Sequence, residues 1–272
     1  MAFSPAMPGK LHPRPWRAAR GGLAYDITMD LCIPEEGTSL PSGLTAEETA
    51  WWIVALLRLA YFPFLNVPVL SDQSFSTAGA SEIEPNLRPF ETEHRIFRAP
   101  DDTASTVSQD HLTWLRSAWS NSANLIKNSS KFETALRAVD ACSVGGRTSA
   151  SLLAVWGALE QLFSPSSSEL RFRVAANIAA YLEPMGESRI AQFRRAMNLY
   201  NQRSIAAHTA ADVDQRYLLE SFVIARNALM KMIDEDRVPS QSDLEDMLFG
   251  VIATSEKWSY ESMNRREGKA QA

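Results

Sequence analysis

Arg203 and His208 stand five positions apart in the stretch Leu199-Tyr200-Asn201-Gln202-Arg203-Ser204-Ile205-Ala206-Ala207-His208. A guanidinium holds phosphate oxygens in a fixed fork, and an imidazole gives and takes protons near neutral pH. Together they are the minimum equipment for cleaving a phosphodiester without a metal. Histidine is scarce, with four in 272 residues, and this one ends a stretch whose cations are all arginine. Between Leu170 and His208 lie six arginines (Arg171, Arg173, Arg189, Arg194, Arg195 and Arg203), no lysine, and the acids Glu183 and Glu187. From Thr209 to Glu256 the balance reverses to ten acids against four basic residues. A net charge of −5 argues against a protein that coats nucleic acid wholesale. Arginine gathered into two adjacent segments still builds a local field suited to phosphate.

The elements that must position these groups read as helices. From residue 108 onward, apolar residues recur at helical spacing almost without interruption. Asp110 is placed to cap a helix running through Leu112, Leu115 and Trp119 to Ile126, and Phe132, Leu136 and Val139 continue the pattern. After a break from Cys142 to Gly146, Thr148 to Phe163 is strongly apolar. Residues 170–183 form the next helix, stopped by Pro184 and Gly186. The helix beginning near Ser188 sets Ile190, Phe193, Met197 and Tyr200 on one face; two more follow, over 212–236 and after Pro239-Ser240. His208 continues that apolar stripe, which predicts a histidine in the core or against another helix. Arg203 falls near the stripe's edge, roughly 140° around the axis from His208, so one chain does not pair them on a face. Arg194 and Arg195 read as solvated.

The first 107 residues differ in character. Residues 1–22, rich in proline, arginine and glycine, read as an irregular leader, and Leu23 to Leu31 alternates as a strand does. Thr45-Ala46-Glu47-Glu48 is a capping-box start for a helix through Trp51, Trp52 and Leu59 that must end near Pro63. Residues 66–107, with four prolines, predict loops and one or two short strands. The expected fold is mainly α: a C-terminal helical bundle (108–256) behind a smaller mixed α/β or irregular region (1–107), with a polar tail (257–272). Cys32 and Cys142 lack metal-ligand spacing and read as unpaired thiols of a reducing compartment. The start of the chain lacks a charged segment followed by an apolar run, and Ala50 to Leu65 is interrupted by Arg58 and Pro63. No secretory signal or membrane span is expected, and the expected location is cytoplasmic.

The stretch Tyr200 to Thr209 resembles the tyrosine-x-x-arginine-serine-x-x-x-histidine ending of HEPN domains of the ApeA-like type. Trp156-Gly157-Ala158-Leu159-Glu160-Gln161-Leu162-Phe163 is similar to that family's first-helix signature. Residues 170–183 take the place of its Ala-rich second helix, and the resemblance covers roughly 130–255. Where the family often has glycine after the histidine, this chain has Thr209. The resemblance implies a HEPN-like bundle with metal-independent endoribonuclease activity, no cofactor, and a homodimer whose motifs meet at the interface. It implies His208 as general acid or base and Arg203 as the charge stabiliser, with Ser204, Asn201 and Glu160 in support. Glu160 would orient Arg203 by an ion pair, and Arg171, Arg173 and Arg195 would bind RNA. Such domains serve as toxins or antiviral-defence effectors, so residues 1–107 are expected to meet an antitoxin or a trigger. The alternative is a non-catalytic dimerisation or RNA-binding bundle with a structural His208.

Other constellations carry less. His94 lies among carboxylates but has no second histidine nearby for a metal. His12 and His111 have no partner by spacing. Gly145-Gly146-Arg147-Thr148 lacks the strand and lysine of a phosphate loop. Trp51, Trp52, Trp114 and Trp119 read as core, with a tryptophan-lined groove as the other option. Tyr200 likewise reads as core rather than catalytic.

Overall fold

The structure, a computed structural model, describes residues 2–5, 16–20, 23–26, 29–33, 44–74, 86–91, 107–142, 147–164, 169–209 and 212–251. It is mainly α-helical, with small antiparallel sheets ahead of the bundle. Strands β1 (Ala2–Pro5), β2 (Trp16–Arg20) and β3 (Leu23–Asp26) form one sheet in that order. The leader expected to be irregular therefore supplies two strands, with Ala2 opposite Ala19 and Arg20 opposite Leu23. The strand expected to reach Leu31 ends at Asp26, and residues 29–33 belong to no strand.

Helix α1 (Ala46–Ala60) starts with the expected box: Thr45 Oγ1 accepts the Glu48 N–H, and the Glu48 carboxylate accepts the Thr45 N–H. Two short strands follow, β4 (Val69–Ser71) and β5 (Leu87–Pro89), paired antiparallel. Helix α2 (Gln109–Asn128) is capped by Ser108 rather than Asp110. Ser108 Oγ accepts the N–H of His111, whose Nδ1 accepts from the Ser108 N–H in return. Asp110 sits in the first turn, where its charge favours the positive end of the helix.

Helices α3 (Ser130–Ala141), α4 (Thr148–Phe163), α5 (Leu170–Leu182), α6 (Glu187–His208), α7 (Gln215–Glu235) and α8 (Gln241–Phe249) complete the bundle. Apolar on nearly all sides, α4 lies at the centre and packs against α3, α5, α6 and α7. Helix α1 shares this core: Trp52 is fully buried and stacks on Trp119 of α2 at 4.0 Å. The α1 end is tied down twice. Arg226 of α7 donates to the carbonyls of Leu59 and Ala60, acceptors that a helix terminus leaves unused. Buried Arg58 bridges Asp140 of α3 and Glu91, which follows β5.

The buried face of α6 differs from the expected one. Ala196, Leu199, Tyr200 and Ala206 are buried, whereas Ile190 is half exposed and Phe193 and Met197 are only partly covered. The buried set is centred about one residue position, near 100°, around the helix from the expected stripe. Phe193 faces Phe172 of α5.

Candidate functional site

Helices α4 and α6 run antiparallel, so the late residues of α4 meet the middle of α6. The Trp156 ring meets Tyr200 edge-on at 5.2 Å, and its Nε1 donates to Ser221 Oγ at 3.0 Å. This packing delivers the Tyr200 hydroxyl to Glu160, one turn beyond Trp156, where it donates to Oε1 at 2.8 Å. Arg203 reaches the same carboxylate: Nη2 lies 3.1 Å from Oε1 and 3.4 Å from Oε2. Its guanidinium also stands 5.5 Å from the Tyr200 ring centre. The Arg203 and Glu160 side chains are 26% and 18% exposed, a pair partly withdrawn from water at the edge of the core. Arg203 Nε is buried without a hydrogen-bond partner.

Burial, then the hydrogen bond to Glu160 and that residue's negative charge, push the Tyr200 phenol up to about 12. The positive charges of Arg203 and Arg171 act the other way. Tyr200 is therefore a neutral donor across the range in which imidazoles titrate. Its place in the core agrees with the sequence, but its grip on Glu160 was not foreseen.

His208 is the last residue of α6 and is exposed, which corrects the expectation of a packed histidine. The rotation of α6 that buries Leu199 turns the His208 position outward. Thr209 caps the helix with φ −119° and ψ 149°, extended backbone that a β-branched residue adopts without cost. The turn here has no need of glycine. Just beyond, Asp212 accepts the N–H groups of Thr148 and Ser149 at 3.3 and 2.8 Å. Those bonds supply the start of α4, whose own cap residue Arg147 offers no side-chain bond, and they hold the Asp212 carboxyl below its ordinary range.

Ser204 is half-buried and Asn201 exposed, both on the same side of α6 as His208 by helical spacing. Arg171 of α5 crosses to this side and donates through Nη1 to Asn201 Oδ1 at 2.8 Å. Arg173 stands about 160° around α5 from Arg171 and is half-buried, with Nε unbonded. Arg195 closes on Glu220 of α7 at 3.1 Å, about 12 Å along the axis from Arg203. The structure thus gathers Glu160, Tyr200 and Arg203 in one cluster and sets Arg171, Asn201, Ser204 and His208 along one face. Arg173 and Arg195 lie apart from both.

The tryptophans are core rather than groove: Trp52 and Trp114 are buried, and Trp51 donates to Asp140. His111 serves the α2 cap and lies 4.1 Å from the Tyr61 ring. His12, His94, Gly145 and Gly146 lie outside the described residues. Among the described residues no three His, Cys, Asp or Glu side chains converge as a metal site would need. Nor is any described helix long and apolar enough to cross a membrane. Cys32 is exposed and Cys142 buried, with no disulfide between them.

Comparison of the chain with protein-family models, with curated proteins and with solved structures finds no match.

Proposed function

We propose that this chain is a metal-independent endoribonuclease of the HEPN type that acts as a homodimer. The observation that carries the reading is the Glu160 carboxylate, which grips Arg203 and Tyr200 together while His208 stands exposed on the same helix. An arginine fixed by a buried-edge carboxylate is oriented before substrate arrives, so little reorganisation is left for the reaction.

In the proposed reaction His208 takes the proton of a ribose 2′-hydroxyl as its oxygen attacks phosphorus. The bond from phosphorus to the 5′-oxygen then breaks, and that oxygen receives a proton. The products are a 2′,3′-cyclic phosphate and a 5′-hydroxyl. Arg203 offsets the charge that grows on the phosphoryl oxygens. A single imidazole does not readily serve at both oxygens, and the turn between Arg203 and His208 keeps them off a common face. A second subunit supplies both lacks through a two-fold axis. The resemblance of Tyr200–His208 and Trp156–Phe163 to HEPN domains supports a toxin or antiviral-defence role, with residues 1–107 meeting an antitoxin or trigger.

Pure protein incubated with total RNA in EDTA tests the reading. Arg203→Ala and His208→Ala should each lower cleavage by at least about 100-fold with unchanged circular dichroism. Cleavage that survives both substitutions, or that depends on added metal, overturns the mechanism. RNA binding and dimerisation without cleavage would instead favour a non-catalytic module.

A further inference from the structure

Helical geometry separates Arg203 from His208, and that leaves open which cation faces the histidine within one subunit. Asn201 precedes His208 by seven positions, so the two lie within about 20° of one line and about 10 Å apart along the axis. Ser204 stands between them, one turn from His208. Arg171 is pinned at the Asn201 end of this line by its 2.8 Å bond to the amide oxygen.

The chemistry of that bond matters. Arg137, Arg195, Arg216 and Arg237, all outside this row, each close on a carboxylate. Arg171 is exposed and held instead by a neutral amide, with no ion pair among the described residues. The amide fixes one edge of the guanidinium and leaves its charge and its remaining N–H donors free. A guanidinium so held is prepared for an anion that has yet to arrive.

The next residue adds a second, independent feature. Phe172 is 54% exposed, and its ring stands 5.4 Å from that of Phe193 on α6 in an edge-on arrangement. An exposed aromatic face supported from behind is the element on which a base stacks, and its pairing with a cation is how single-stranded nucleic acids are held without sequence readout. Along α6 the order is Phe172 on Phe193, Arg171 on Asn201, Ser204, and then His208.

We propose that this row is a track for single-stranded RNA, in which Arg171 binds a phosphate neighbouring the scissile one and Phe172 stacks a base beyond it. The track rests on the nuclease reading only in taking His208 as its reactive end. The site then requires a substrate with more than one phosphate, and a dinucleoside monophosphate, which carries the scissile phosphate alone, gains nothing from Arg171.

The test is the binding of a fluorescent 2′-O-methyl uridine hexanucleotide, which cannot be cleaved by 2′-attack, to the full chain over a range of salt. Arg171→Ala should weaken binding about tenfold and reduce the salt slope by about 0.7, the value for one lost single-strand phosphate contact. Phe172→Ala should weaken binding to a similar degree with the slope unchanged, and Arg116→Ala, an exposed arginine of α2 away from the track, should bind as the parent does. The proposal is overturned if the parent does not bind the hexamer, if Arg171→Ala binds normally, or if Arg116→Ala loses as much. It is also overturned if Phe172→Ala alters the oligomeric state and not the RNA affinity, which would assign the aromatic face to a protein contact. Hexamer binding that follows this pattern in a protein that cleaves no RNA leaves the track standing and rejects the nuclease.

Discussion

Glu160 accepts from two residues at once, and the two demands differ. Tyr200 needs an acceptor, whereas Arg203 needs a negative charge. Glu160→Gln keeps an acceptor for the phenol but removes the charge, so Arg203 is freed to sample other positions. On the proposed nuclease reading, cleavage should fall about 100-fold, the scale expected when a positioned group is misplaced by an ångström, while the melting temperature changes little. Loss of fold in this variant would mean the pair is structural first. Tyr200 gives a pH test. Its phenol is raised from 10.0 to about 12, so the folded protein keeps a proton that the unfolded chain loses. That contribution is fully present below pH about 10 and is lost as the pH rises towards about 12. Unfolding free energy measured with urea should therefore decline more steeply over that window in the parent than in Tyr200→Phe; equal slopes would refute the assignment.

At the scale of elements, the important join is between α4 and the segment that follows α6. Asp212 closes the start of α4 four positions after His208, so the exit of α6 is tied to the helix carrying Glu160. Asp212→Ala should speed hydrogen exchange at the Thr148 and Ser149 amides and reduce cleavage, and Asp212→Asn, which keeps an acceptor, should restore much of both. Normal exchange at those amides in Asp212→Ala would show that the cap does not matter. Much of this layer was legible in the sequence. The limits of α4 and the box at Thr45 came from periodicity and from the reach of a short side chain, which are local. The face of α6 was misread because Ile190, Phe193 and Met197 outweigh Ala196 and Ala206 in any hydrophobic count. Which face is buried is set by the neighbouring helices, whose positions the local pattern does not carry. The Arg171–Asn201 bond was also out of reach, since it joins residues thirty positions apart whose spacing carries no signal.

Across the whole molecule, the sequence divided mixed from helical character near residue 107, and the structure places Trp52 of α1 in the same core as α4 and α7. Arg58 is the charged centre of that union, 3% exposed and bonded to Asp140, Glu91 and the Leu65 carbonyl. Arg58→Met removes the cation shared by the Asp140 and Glu91 carboxylates. It should cost about 3–5 kcal/mol in urea unfolding, and a change below 1 kcal/mol would mean that water relieves the pair. The bonds from Arg226 carry a different consequence. They serve the carbonyls of Leu59 and Ala60, the last that α1 offers, so they measure the helix from Trp52 to its end. One residue inserted between Trp52 and Leu59 would swing those carbonyls by about 100° and advance them by about 1.5 Å. Trp52 could then keep its seat on Trp119, or the helix end could keep Arg226, but not both. The length of α1 is thus set to a single residue by a side chain that lies more than 160 positions away.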